Sequence, residues 1–229
     1  MTSPLPFGYC LVRQGTADLP PACPLSYIGI AGCLCPAAIP FPDNIPLYGT
    51  DFRPEPLAAK WGITPETATA LFRFNEARLL QIDYASLTYR SLETARLALS
   101  TFFPDRPDVL LIALGAVDDA FLHYPDIQDV TPFPPDARLL GFDLYEFGDS
   151  VPEGTPLPPL DFATLGTMGL GCPLFCCDPD AEIPARLGIS LNSRGLYPDA
   201  PSALAAASLV NRDHLAEPTR YLPFALYQC

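Results

Sequence analysis

Apolar residues recur along this chain in short, proline-punctuated blocks. DVLLIALG, at 108–115, is charged only at its first position and then runs apolar for the length of a strand. A run of that kind predicts a central strand buried on both faces. ARLLGFDLYEF, at 137–147, predicts a second strand with Phe142, Leu144 and Glu146 on one face. RLLQIDYASLTY, at 78–89, alternates like a strand. RLGISLN (186–192) and SYIGIAGCLC (a strand near Tyr27–Leu34) predict further strands. YLPFALYQC closes the chain as a strand whose Pro223 points to an edge or a bulge.

Helical periodicity interrupts these strands. PEPLAAKWG reads as a short helix ending at Gly62, a residue suited to the position after a C-cap. A second helix starts at once, with Thr64 as N-cap, Pro65 in the first turn and Glu66 complementing the dipole. Its apolar stripe is Ala68, Leu71, Phe72 and Leu79. SLETARLALSTFF is amphipathic, with Ser91 as N-cap and Pro104 after its end. SALAAASLVN is a further helix. A faint internal echo links ASLTYRSLETARLALS to RGLYPDAPSALAAAS. Each passes from a strand exit through a tyrosine, Tyr89 or Tyr197, into an alanine-rich helix. The expected fold is α+β: one domain over 1–229, divisible into 1–104 and 105–229. It has a mixed or antiparallel sheet, helices on one side, and two similar strand–turn–helix units joined by proline-rich loops.

Composition sharpens this picture. Half the residues are hydrophobic (49%), enough for a real core, and 29 prolines imply short elements and many ordered loops. No apolar run is long enough to span a membrane, and the first residues do not have the pattern of a signal peptide, so the expected location is the cytoplasm. The net charge is −13, and its placement is uneven. Residues 105–182 hold fifteen acids against Arg106 and Arg138, while acids and bases balance elsewhere. A one-signed segment attracts basic partners and repels phosphate backbones. Its ordinary role is to keep an apolar protein soluble.

Candidate chemistry is sparse. GLGCPLFCCD, at 169–178, and the C-x-C of Cys33 and Cys35 concentrate five of the eight cysteines. Neither has the two-residue spacing of a structural zinc knuckle. Their apolar neighbours Leu34, Leu174 and Phe175 favour buried thiols that act as small hydrophobes. Cys33, Cys35, Cys172 and Cys176 are the set to consider for zinc; otherwise no cofactor is expected. GAVDDAFLHYPDIQD follows the strongest strand. Asp118 or Asp119 with His123 could form a ligand pair, and Asp126 and Asp129 could add oxygens for a hard cation. The ordinary reading is a solvated acidic loop. No G-x-S-x-G, S-x-x-K, H-E-x-x-H or P-loop is present.

PLAAKWGITPETATALFR, at 56–73, resembles the helix-turn-helix of bacterial regulators. Ala58 or Ala59 would make the close helix contact, Gly62 the turn, and Ala68 and Leu71 the core face. The resemblance implies a DNA-reading helix presenting Glu66, Thr67, Thr69 and Arg73. Residues 53–96, however, hold six bases and five acids, so no basic patch neutralises phosphates and nucleic acid is not the expected partner.

The leading expectation is therefore a non-enzymatic protein-binding protein, inhibitor- or immunity-like, that turns an acidic face toward a basic partner. Its expected contact residues are Asp118, Asp119, Asp126, Asp129, Asp143, Glu146, Asp149 and Glu153, with Tyr124, Phe133 or Tyr145 as aromatic anchors. The alternatives are a metal-binding protein or metal-dependent enzyme, then a DNA-binding regulator.

Overall fold

The computed structural model describes residues 3–13, 54–55, 58, 62–77, 82–83, 88–118, 121, 129–147, 156–157, 170–173, 182–213, 215 and 219–229. Among them, seven strands form one antiparallel sheet in the order β2-β3-β1-β4-β7-β5-β6. The strands are β1 (Leu5–Arg13), β2 (Ile82–Asp83), β3 (Thr88–Tyr89), β4 (Val109–Ala116), β5 (Arg138–Phe147), β6 (Leu170–Pro173) and β7 (Arg220–Gln228). Four helices accompany it: α1 (Pro65–Glu76), α2 (Leu92–Phe102), α3 (Glu182–Arg186) and α4 (Ala200–Asp213). The fold is α+β, as the sequence pattern predicts, and the sheet is wholly antiparallel.

Helix starts follow their local chemistry. Thr64 Oγ1 accepts from the Thr67 N–H at the head of α1, and Ser91 accepts from the Thr94 N–H at the head of α2. Asp199 accepts from the Ser202 N–H at the head of α4. Each side-chain oxygen satisfies an amide that has no carbonyl partner in the first turn.

The echo seen in the sequence is a structural repeat. In the first half, Tyr9 of β1 pairs with Tyr89 on one side and Ala113 on the other. In the second half, Phe142 of β5 pairs with Tyr197 on one side and Ala225 on the other. β1 shifts register between Pro6 and Gly8, and β5 does so between Leu139 and Gly141. At these bulges a Cβ on Gly8 would collide with Thr88. One on Gly141 would lie 2.6 Å from Leu196 Cβ, and Leu196 precedes Tyr197 as Thr88 precedes Tyr89. The helices correspond as well: Ala95 and Ala98 of α2 are buried, as are Ala203 and Ala206 of α4.

β4 and β7 join the halves about a pseudo-twofold axis. Leu114 faces Leu226 at its centre, and the pair Ile112–Gln228 mirrors Phe224–Ala116. The symmetry extends past the strands. Cys229 N–H donates to Leu111 C=O, and Val117 N–H donates to Pro223 C=O. This resolves the position of Pro223. β7 is central, not an edge. The β4 ladder begins one residue later, at Phe224, so the N–H that proline lacks falls beyond the last residue of β4.

Both sheet faces are buried. Tyr9, Leu11, Leu71, Tyr89, Ala95, Ala98 and Leu111 form the first half's core under α1 and α2. Phe142, Leu144, Ile183, Tyr197, Ala203 and Tyr221 form its counterpart under α3 and α4. Tyr227 touches both cores, so all four helices lie on one face. The opposite face buries Phe7, Phe121, Phe147 and Phe224, with ring centroids 5.1–6.2 Å apart in edge-to-face packing. Edge-to-face stacking adds to simple burial because the positive ring edge meets the negative face.

One expectation from the sequence differs. RLGISLN is not a strand. α3 ends at Arg186, and a turn follows in which Gly188 takes φ +64° and the Ile189 N–H returns to Pro184 C=O. Within RLLQIDYASLTY the described residues form the short strands β2 and β3. The strand predicted near Tyr27–Leu34 lies outside the described residues.

Candidate functional site

Most acids of the 105–182 segment lie beyond the end of β4. β4 and β5 are both antiparallel to β7, so they run parallel to each other and finish at the same end of the sheet. Ala116 lies opposite Phe224, and Phe147 opposite Arg220. Those two exits stand four residues apart along β7, about 13 Å at the usual strand rise. The acidic stretches 117–137 and 148–182 therefore both leave from this end.

Asp118 sits at the first exit, half-buried. Its charge acts on Arg220, opposing the burial that pulls the guanidinium below its ordinary basicity. Glu146 lies on the helix side of β5, where its Oε1 accepts from the Tyr221 hydroxyl at 3.1 Å. Asp129 is well exposed and makes a long ion pair, 3.5 Å, with Arg90 Nη1. A contact of that length in water contributes little to stability.

The chain around Asp129 is held firmly. Thr131 N–H donates to Arg90 C=O, and Thr131 Oγ1 accepts from Leu92 N–H in the first turn of α2. The Tyr9 hydroxyl reaches the Thr131 and Pro132 carbonyls at 3.0 and 2.8 Å. Phe133 stacks on Tyr227, 4.7 Å between centroids, over the backbone of Gly115. Phe133 is thus a half-buried wedge between the two halves, not a free anchor.

Two expected contact residues are corrected. Asp143 and Tyr145 are each only 1% exposed. Neither can reach a partner across the surface. They alternate with Phe142 and Leu144, and alternation would place them in solvent if the second face were open. That face is instead packed, with Tyr145 edge-on to Phe224. Asp143 Oδ1 accepts from Leu144 N–H at 2.8 Å, while Oδ2 has no hydrogen-bond partner among the described residues. Burial drives this carboxyl well above the ordinary aspartate range, and the Leu144 N–H only partly opposes that.

Asp119, Tyr124, Asp126, Asp149 and Glu153 lie outside the described residues, as do His123, Cys33, Cys35 and Cys176. Cys172 is placed by its backbone in β6. Among the described residues no group of three or more His, Cys, Asp or Glu is arranged to hold a metal ion. Cys10 is buried in β1, where desolvation, with a smaller push from Cys229, raises its thiol to about 12. Burial likewise raises the Cys229 thiol, to about 11.

In the helix-turn-helix-like stretch, Thr64 caps α1 and Ala68 and Leu71 are buried, as that pattern requires. Pro54, Pro65, Glu66, Thr69, Ala70 and Arg73 line a shallow groove on the outside of α1. No helix of the described residues is long and apolar enough to cross a membrane. Sequence reasoning did not single out Arg90 and Arg220, the cations that border the acidic segment. Arg90 directly follows β3 and Arg220 opens β7, and the sheet order brings them there.

Compared with protein-family models, with curated proteins and with solved structures, the chain gives no significant match.

Proposed function

We propose that this chain is a non-enzymatic, cytoplasmic protein-binding protein that uses its acidic connections against a basic partner, in the manner of an inhibitor or immunity protein. The supporting observation is topological. The two segments that hold most of the negative charge, 117–137 and 148–182, leave the sheet from one end, beside Asp118. A local excess of like charge raises the potential and speeds encounter with a cationic surface. Asp118, Asp119, Asp126, Asp129, Glu146, Asp149 and Glu153 carry the reading. Asp143 and Tyr145 drop out because they are buried.

The test is co-purification of the full chain with basic proteins, followed by affinity measurement at low and high salt. The same measurement is made on a variant combining Asp118→Asn, Asp129→Asn, Asp149→Asn and Glu153→Gln. A stoichiometric complex that weakens steeply with salt and is lost in the variant supports the reading. Binding that ignores both salt and the substitutions refutes it.

A further inference from the structure

Pseudo-symmetry makes one buried residue conspicuous. The repeat that equates Gly8 with Gly141 and Tyr9 with Phe142 also equates Cys10 with Asp143. Both side chains lie on the sheet face away from the helices, and both are at most 2% exposed. In the first half that position holds a neutral thiol packed among Phe7, Val12, Ile112 and Leu114. In the second half the same position holds a carboxyl. It lies opposite Phe224, the ring that touches Phe7, Phe121 and Tyr145.

We infer that Asp143 is a proton-controlled latch: the second half of the sheet closes with this carboxyl neutral, and loss of its proton loosens β5 from the aromatic face. An isolated carboxylate in such surroundings lacks the solvation it has in water, and local opening relieves the penalty. One oxygen already has a task. Leu144 lies two residues beyond Phe142, which bonds Tyr197, so its N–H points to the same outer side of β5 and is taken by Asp143 Oδ1. The other oxygen has no partner among the described residues.

The surroundings contain no compensating cation among the described residues that affect its ionisation. Along β7 this face carries Leu222, Phe224 and Leu226. Arg220 stands at the far start of the strand, opposite Phe147 and under the influence of Asp118. β5 itself contributes Tyr145, and the segment crossing to Tyr197 contributes Leu196, two residues after the partly exposed Arg194. Burial raises the carboxyl, so its stabilising contribution is complete below the ordinary aspartate range. It is lost as pH rises from there through the folded-state value.

The test is urea unfolding of the full-length chain, wild type against Asp143→Asn, across mildly acidic to mildly alkaline pH. Asparagine keeps the acceptor for Leu144 and cannot ionise. The wild-type folding constant, relative to the variant, should fall by about tenfold per pH unit above the ordinary aspartate pKa, until the folded carboxyl ionises. Parallel profiles overturn the proposal. Asp143→Cys, which copies the first half, serves as the second variant. Hydrogen exchange on the wild type gives an independent reading. Residues 138–147 should lose protection with rising pH while 109–113 do not, after correction for intrinsic rates. Equal loss in both strands also overturns the proposal.

Discussion

Gly141→Ala isolates the close packing on which the repeat depends. Gly141 takes φ +147°, in the half of conformational space that side chains disfavour, which costs an alanine about 1–3 kcal/mol. Its Cβ would also lie 2.6 Å from Leu196 Cβ, 2.8 Å from Asn192 Nδ2 and 3.1 Å from the Tyr197 carbonyl oxygen. None of these can withdraw easily. Asn192 is held by its bond to Leu140 C=O and by the Arg194 and Leu196 N–H groups. Tyr197 is locked to Phe142 through both of its backbone groups. Overpacking of this kind adds about 1–3 kcal/mol. The two effects sum to about 2–6 kcal/mol, a large share of the roughly 5–15 kcal/mol that holds a typical domain folded. Gly188→Ala is the control. Gly188 takes φ +64°, and a methyl added there would meet nothing within 4 Å, so only backbone strain of about 1–2 kcal/mol remains. Urea unfolding followed by circular dichroism reads both. At a slope of about 3 kcal/mol/M the midpoint should fall by about 0.7–2 M for Gly141→Ala and by about 0.3–0.7 M for Gly188→Ala. Equal shifts would refute the claim that the β5 bulge is packed against the 192–197 turn.

Two further outcomes follow from buried polar groups. The Asn211 amide donates to Tyr221 C=O and accepts from Tyr221 N–H, both at 2.8 Å, standing in for a neighbouring strand at the start of β7. Asn211→Ala should cost about 2–4 kcal/mol in thermal or urea unfolding, and a loss under 1 kcal/mol would mean that water replaces the amide. Cys10, buried and with its thiol raised to about 12, should resist alkylation near pH 8 in the native chain and react on denaturation. Peptide mass spectrometry decides this, and native modification of Cys10 would show that the β1 face opens readily.

Much of the fold was legible in the sequence because its signals are local. DVLLIALG, the caps Thr64 and Ser91, and the alternation of β5 depend on near neighbours, and each leads to the element observed. The repeat was visible at Tyr89 and Tyr197, the bridging positions next to each bulge. Two of the failures depend on partners distant in sequence. Pro223 reads as an edge residue until the one-residue offset of the β4 ladder is known. Asp143 and Tyr145 read as solvent-facing until the second face of β5 is seen to be covered, because charge at an alternating position ordinarily means water. RLGISLN is apolar at alternate positions and still turns, because Gly188 adopts a left-handed conformation and the chain folds back on Pro184.

The pseudo-twofold repeat also bears on where function should be sought. The halves share bulge, bridge, cap and helix, so the elements they hold in common are explained by folding alone. Charge does not follow the symmetry. Residues 117–137, the connection that links the halves, hold five acids and no base. Residues 148–182, inside the second half, hold six acids and no base. The corresponding stretch of the first half, 14–62, carries four acids and two bases. A requirement for solubility would be met by acids spread over both halves, since both bury similar cores. Their concentration in the connections is the distribution that the proposed binding surface requires. The charge variant of those connections therefore addresses function, whereas substitutions at the repeated positions address stability. Asp143 marks the boundary between the two: it belongs to the repeated scaffold, so its ionisation should alter the fold without contributing to the acidic surface.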